Sequence, residues 1–249
     1  MRPTIVPYFP VSEKFTLPAQ HAILAPCLER AMTLAIFDLD NTLIKGDSDH
    51  LWGQFVCEQG LVDSSRFAED NERFYRDYQA GTLDIEAYLR FALGPLRGRS
   101  PEELAPLHRQ FMREKIEPIM LPRARALIAN HREQGHHLLV ITATNHFITR
   151  PIVDALGISD LLACEAELVE GRYTGEPTGI PSYHQGKVLR LQAWLESRQL
   201  DLAGSWFYSD SHNDLPLLEC VDFAVAVDPD ATLRAHAIAA GWPVISLRD

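Results

Sequence analysis

Apolar positions change their spacing along the chain, and each change predicts a different element. Leu34-Ala35-Ile36-Phe37 is an unbroken apolar run of strand length, bounded by polar residues. From about residue 49 to 117 the spacing becomes helical. Leu51, Phe55 and Val56 share one face, as do Phe67, Phe74 and Tyr78. Ile85, Leu89 and Leu93 follow at i, i+4 and i+8, and Leu104, Leu107 and Phe111 come after them. Ser100-Pro101-Glu102-Glu103 predicts a helix start, with Ser as N-cap and Pro at the first helical position. No strand is predicted in this block.

After Pro118 strands and helices alternate. The pattern predicts a helix over 124–134 ended by Gly135, a buried strand over 137–142 and a helix near 146–156. Turn residues at Glu170-Gly171 predict a hairpin. Lys187 opens a helix with Val188, Leu191 and Leu195 on one face. "SWFYSD" predicts a strand, 211–220 a short helix, and "FAVAV" and "PVISL" two further strands. This alternation predicts an α/β fold, a parallel sheet with helices on both faces. The predicted division is an irregular extension over 1–31, a helical insert over 49–117, and a core from 32–48 and 118–249. The extension carries Pro3, Pro7, Pro10, Pro18 and Pro26, and Met32 stands where an alternative start would fall.

Composition narrows the function. The 249 residues carry a net charge of −11. That balance opposes non-specific nucleic-acid binding, which depends on Lys and Arg. A small anionic substrate stays open, because a local site can differ from the global field. Cys27, Cys57, Cys164 and Cys220 are dispersed without a zinc spacing and read as reduced core residues. No apolar run reaches the roughly 20 residues a membrane span needs. The opening "MRPTIVPYFPVSEKF" is too rich in proline for a signal peptide. A cytoplasmic location is expected.

Ligands of open parallel sheets bind beyond the carboxyl ends of the strands. Four polar signals fall at such ends: Asp38-Leu39-Asp40-Asn41-Thr42, Thr142-Ala143-Thr144-Asn145, Gly186-Lys187, and Asp210-Ser211-His212-Asn213-Asp214. Any one of them alone reads as a turn or a helix cap. Their conjunction reads as chemistry. Gly179 and Gly186 are seven apart and Val188 follows Lys187, so a P-loop is rejected. Asp38 and Asp210 can share one hard cation, with Asp214 near or in that shell; magnesium suits a few carboxylates plus phosphate oxygens. Thr142, the Ala143 amide and Lys187 can hold the remaining phosphate oxygens. Asp38 could then attack phosphorus, with Asp40 placed to protonate the leaving oxygen.

"DLDNTL", a Thr after a strand, a Lys, and "SDSHNDLPLL", in that order, resemble the haloacid-dehalogenase-like superfamily over roughly residues 33–230. The phosphoserine-phosphatase-like branch, which includes histidinol-phosphate phosphatases, is the most similar. The resemblance implies a Rossmann-like parallel sheet core with a helical cap inserted after the first strand. It implies a magnesium-dependent phosphomonoesterase with Asp38 as nucleophile and Asp40 as acid and then base. Thr142, Ala143, Lys187 and Asn213 would bind substrate. Asp38, Asp40, Asp210 and Asp214 would form the metal set. Phosphoserine phosphatases carry an Arg in the cap where Ala92 stands here. A substrate with an amine and no carboxylate, such as histidinol phosphate, therefore fits better, with Asp47 and Asp49 facing the amine. The alternative is that Asp47 and Asp49 only cap the first helix of the insert. The expected partner is a small phosphorylated metabolite, with neither nucleic acid nor membrane. Phosphoserine hydrolysis, phosphotransfer to another acceptor, and a non-catalytic binding protein are the competing functions.

Overall fold

The computed structural model describes residues 32–248. The predicted extension and Cys27 lie outside them. Among the described residues seven strands form one sheet: β1 (Leu34–Phe37), β2 (His137–Asn145), β3 (Asp160–Val169), β4 (Arg172–Thr178), β5 (Trp206–Ser209), β6 (Phe223–Val227) and β7 (Val244–Ile245). Their order is β4-β3-β2-β1-β5-β6-β7. All neighbours are parallel except β3 and β4, which form the antiparallel hairpin.

β1 lies at the centre with all four residues buried, as a two-faced parallel strand requires. Its side chains alternate between two cores. Ala35 and Phe37 pack on one face with α5 (Pro122–Glu133) and α6 (His146–Ala155), through Ala124, Ile128, Ile148 and Ile152. Leu34 and Ile36 pack on the other with α7 (Gln185–Arg198), α8 (Leu215–Leu218) and α9 (Ala231–Ala240), through Val188, Leu191, Leu217 and Leu233. Each of the larger buried side chains among these contributes roughly 1.5–3 kcal/mol.

The block between β1 and α5 is helical: α1 (Ser48–Glu58), α2 (Ser64–Gln79), α3 (Ile85–Leu93) and α4 (Pro101–Phe111). Ser100 and Glu103 form the expected capping box at the start of α4. The chain leaves and re-enters the core at one place. Ile44 bridges Met120 in antiparallel fashion, and the Lys45 amide donates to the Ile119 carbonyl at 2.8 Å. Trp52 of α1 then wedges between Phe111 and Phe147, joining the insert to the core face. A second tie runs to the hairpin. The Gly98 amide donates to the Tyr173 carbonyl at 2.7 Å, and the Tyr173 amide to the Arg99 carbonyl at 3.0 Å.

Several expectations need correction. β2 runs on to Asn145 rather than stopping at Thr142, with a register shift between Ile141 and Asn145. Its last four residues are polar or small, and the sequence pattern reads them as a turn. The pattern does not predict α9, because its alanine-rich run gives little contrast between faces; its ends are nonetheless marked by Asp230 as N-cap and Gly241 in the left-handed region. The predicted helix over 211–220 is a 3-10 turn (His212–Asp214) followed by α8. Of the three described cysteines, all free, only Cys164 is a core residue; Cys57 is half-buried and Cys220 exposed. Among the described residues no helix is long and apolar enough to cross a membrane.

Candidate active site

The site begins where β1 ends. The Asp38 amide donates to the Tyr208 carbonyl at 2.9 Å, which keeps the first residue after β1 registered on β5. Asn41 then takes a left-handed conformation (φ 59°), which asparagine tolerates, and the chain turns back beneath the carboxylates. That turn delivers Thr42, whose hydroxyl lies 3.2 Å from Asp38 Oδ2 and 3.3 Å from Asp210 Oδ1. The Asp210 amide donates to the same hydroxyl at 3.1 Å. One buried threonine thus joins the ends of β1 and β5.

Lys187 provides the positive charge. Its Nζ lies 2.8 Å from Asp38 Oδ1 and 2.7 Å from Asp214 Oδ1, and its side chain is only 2% exposed. It stands in the first turn of α7, and Gly186 before it is sterically required: a Cβ there would come within 2.0 Å of the Pro181 carbonyl oxygen. Burial pulls the Lys187 ammonium down, but Asp214 and Asp38 outweigh it and hold the group above the ordinary lysine value. Asp214 is held further by the Ser209 hydroxyl at 2.7 Å. Burial pushes the Asp38 carboxyl up to about 7 against the opposing pull of Lys187. Asp210 is raised well above the usual range by burial and then by Asp38.

Asp40 points another way. Its Oδ1 accepts from the Ser48 amide at 2.6 Å, and its Oδ2 from the hydroxyls of Thr144 at 2.8 Å and Thr142 at 3.4 Å. Burial, helped by the charge of Asp47, pushes its carboxyl up to about 6. Thr144 is a site residue that the sequence reading did not single out. The i, i+2 spacing from Thr142 was the available signal, since both face one side of a continued strand.

Above these groups the insert forms a wall. Asp47, Asp49, His50, Asn71, Phe74, Tyr75 and Tyr88 line a pocket together with Asp38, Asp40, Thr142, Ala143 and Thr144. Among the described residues no Lys or Arg lines it. Asp47 both caps and lines: its Oδ1 accepts from the His50 amide at 2.8 Å at the start of α1. Asp49 is 4% exposed, and among the described residues its Oδ2 has no hydrogen-bond partner. Burial raises both carboxyls, Asp49 well above the usual range. The wall is braced. His50 stacks on Tyr75 with ring centroids 4.5 Å apart, and Asn71 donates to the His50 carbonyl at 3.0 Å. Gly53 makes room for that contact, since a Cβ there would lie 2.4 Å from Asn71 Oδ1.

Several expected site residues sit differently from the sequence reading. Lys187, Asp210, Asp214 and Asn213 do not line the pocket themselves; the first three lie beneath it around Asp38, and Asn213 lies apart. Its Nδ2 donates to the Tyr78 carbonyl at 3.1 Å and its Oδ1 lies 2.9 Å from His184 Nε2, so it ties α2 to the core. Of the four expected metal ligands, Asp40 is held by Ser48 and the two threonines, and Asp214 by Lys187 and Ser209. Ala92 is buried and does not line the pocket, so the identity of this position says little about the substrate. Among the described residues no group of three or more His, Cys, Asp or Glu side chains is arranged to hold a metal ion. The two carboxylates joined through Thr42, Asp38 and Asp210, offer hard oxygen donors. That set fits a magnesium ion that takes the rest of its shell from phosphate and water.

A central parallel sheet with carboxylates, hydroxyls and a buried lysine gathered beyond its strand ends is the architecture of an α/β enzyme. Residues 35–219 match the family described as haloacid dehalogenase-like hydrolase, and the chain belongs to that family. Within it, the chain stands with the phosphatases. It is 49% identical over 219 residues to a histidinol-phosphatase of Neisseria meningitidis serogroup C (strain 8013), covering 86% of this chain and 99% of that protein. It is 32% identical over 217 residues to a phosphoserine phosphatase of Mycobacterium tuberculosis (strain ATCC 25618 / H37Rv), covering 86% and 70%. A solved protein of unknown function from Bordetella pertussis Tohama I superposes with a TM-score of 0.82 at 41% identity, over 87% of this chain and 99% of that one. A phosphoserine phosphatase solved as a phospho-aspartyl intermediate analogue shares the fold at a TM-score of 0.64 and 16% identity, over 88% and 95%.

Proposed function

We propose that this phosphatase is a magnesium-dependent phosphomonoesterase that works through an aspartyl phosphate on Asp38, with histidinol phosphate as its substrate. The supporting observation is the placement of Asp38 between Lys187 and Thr42 at the end of β1, with Asp40 two residues on and raised to about 6. Residues 32–48 and 118–249 form the core in this reading, and residues 49–117 the cap.

Asp38 and Asp210 would hold the magnesium ion, which would supply charge neutralisation for the phosphoryl group. Lys187, the Thr142 hydroxyl and the Ala143 amide hold the phosphate in line with Asp38. An Asp38 carboxylate oxygen attacks phosphorus. The ester oxygen leaves and takes the proton of Asp40, whose raised carboxyl is poised near neutral pH for that transfer. In the second half, Asp40 accepts a proton from water as the water attacks phosphorus. This restores the Asp38 carboxylate and releases inorganic phosphate.

The wall supports the choice of substrate. Asp47 and Asp49 offer negative charge to an amine, and among the described lining residues no Lys or Arg offers positive charge to a carboxylate. A phosphorylated amino alcohol meets both conditions and phosphoserine meets only the first. The histidinol-phosphatase name of the relative at 49% identity agrees with this. The test is phosphate release from histidinol phosphate and phosphoserine, with magnesium and after chelation. Histidinol phosphate should have the higher kcat/KM and chelation should silence both. Faster turnover of phosphoserine would overturn the substrate, and full activity in metal-free buffer would overturn the mechanism.

A further inference from the structure

The pocket wall holds two carboxylates, and a phosphorylated amino alcohol has only one amine. We infer that Asp49 recognises the N–H of a flat nitrogen heterocycle at the far end of the substrate, while Asp47 faces the amine. The inference rests on the phosphomonoesterase reading and adds a second recognition point to it.

Three observations carry it. First, Asp49 is 4% exposed and lines the pocket, yet among the described residues its Oδ2 has no partner. A buried carboxylate oxygen left unpaired is unfavourable, so its presence calls for a donor that arrives with a ligand. Second, a local structural role is already filled. Asp47 is the N-cap of α1, and an acidic residue that only favoured the helix dipole would work as well in solvent. Third, the neighbouring surface is aromatic and apolar: Phe74, Tyr75, Tyr88, Leu83 and Ile85 line the same pocket. Tyr88 lines the pocket beside Asp49. Flat walls with one buried acceptor suit a ring with one outward N–H.

The two carboxylates differ in reach. Asp47 directly precedes Ser48, whose amide donates to Asp40 at 2.6 Å, so it lies towards the ester end. Asp49 stands two residues further along, in the first turn of α1. An amine one carbon from the ester-bearing carbon meets Asp47; a ring beyond that carbon meets Asp49.

The experiment uses the magnesium-loaded enzyme and two substrates that share the amine and differ in the ring. Histidinol phosphate carries the N–H, and phenylalaninol phosphate carries a carbocycle. A site built to hydrogen-bond a group rejects the analogue lacking it, because its own acceptor stays unpaired. Wild type should prefer histidinol phosphate on the order of a hundredfold or more in kcat/KM. Asp49→Leu should bring the ratio to within about threefold, chiefly through a higher KM for histidinol phosphate. Asp49→Asn keeps the size and serves if the leucine variant does not fold; it should narrow the same ratio. Asp47→Asn should lower both substrates together and leave the ratio in place. Calorimetric binding of histidinol against phenylalaninol reads the same contrast without turnover, so a failed phosphatase assignment would be seen separately. An unchanged ratio in both Asp49 variants, or equal losses on both substrates, would overturn the inference.

Discussion

The floor and the wall of the pocket both collect carboxylates, and they differ in what answers the charge. On the floor, Lys187 lies against Asp38 and Asp214, while Thr42 links Asp38 to Asp210. On the wall, Asp47 accepts from the His50 amide, and among the described lining residues no Lys or Arg answers Asp47 or Asp49. A phosphate brings negative charge to the floor, so the floor must carry positive charge of its own. The substrate's nitrogen groups meet the wall, so the wall can leave its charge unmatched. The same residue type therefore serves two purposes, and the neighbouring cation distinguishes them.

The strongest way to break the comparison is to remove the floor's nucleophile. Asp38→Asn should lower phosphate release by at least ~10⁴-fold, since removing a nucleophile typically abolishes nearly all enzymatic acceleration. Circular dichroism should show the fold unchanged. Normal turnover would take the role from Asp38.

Asp40→Asn should reduce kcat by roughly 10²–10⁴-fold. The loss should be larger on alkyl than on aryl phosphates, whose leaving groups need less protonation. Equal losses on both would make Asp40 a structural residue only.

On the wall the effects should be smaller and confined to selectivity. Asp47→Asn should reduce the preference for histidinol phosphate over its deaminated analogue by about tenfold to a hundredfold, the worth of one charge-assisted contact. Steady-state kinetics on the two esters reads this directly. An unchanged preference would leave Asp47 as a helix cap.

The last effect is on stability rather than turnover. Asp38 and Asp40 titrate near 7 and 6 in the folded protein, above the 3.8 of a free aspartate. A carboxyl raised on folding stabilises fully below its unfolded value and loses that contribution as pH rises through its folded value. The metal-free wild type should therefore lose Tm relative to Asp40→Asn between about pH 4 and pH 6.5. Each tenfold change in a carboxyl's proton affinity on folding is worth about 1.4 kcal/mol, and each kcal/mol moves Tm by roughly 2–4 °C at this size. Thermal melts in chelator across that range check the slope. A parallel pair of curves would show that Asp40 is not raised.

The floor was more legible in sequence than the wall. A strand of four apolar residues ending in Asp38-Leu39-Asp40 announces itself, because burying like charges at a strand end needs a reason. Lys187 and Asp210 could be placed from the same logic. Thr144 was hidden because β2 carries polar residues for one further turn of the pleat, and polarity normally signals that a strand has ended. Asn213 fell next to the right residues yet faces Tyr78, which only the docking of α2 could show. Asp49 was visible as a carboxylate but not as an orphan, since an unpaired oxygen is a property of the packed neighbours. Ala92 carried an argument from position that burial within the insert removes.

The tie between the insert and the hairpin also bears on how the protein behaves among its own copies. An open sheet has two outer strands whose free backbone groups can template another chain. Here β7 has only two residues, too few to guide a partner strand. On the outer side of β4, the amide and carbonyl of Tyr173 are already taken by Arg99 and Gly98. The loop after α3 thus blunts one sheet edge while anchoring the insert that walls the pocket. Loosening it to widen the pocket would also uncover a strand edge, so a gain in substrate range there would come with a greater tendency to aggregate.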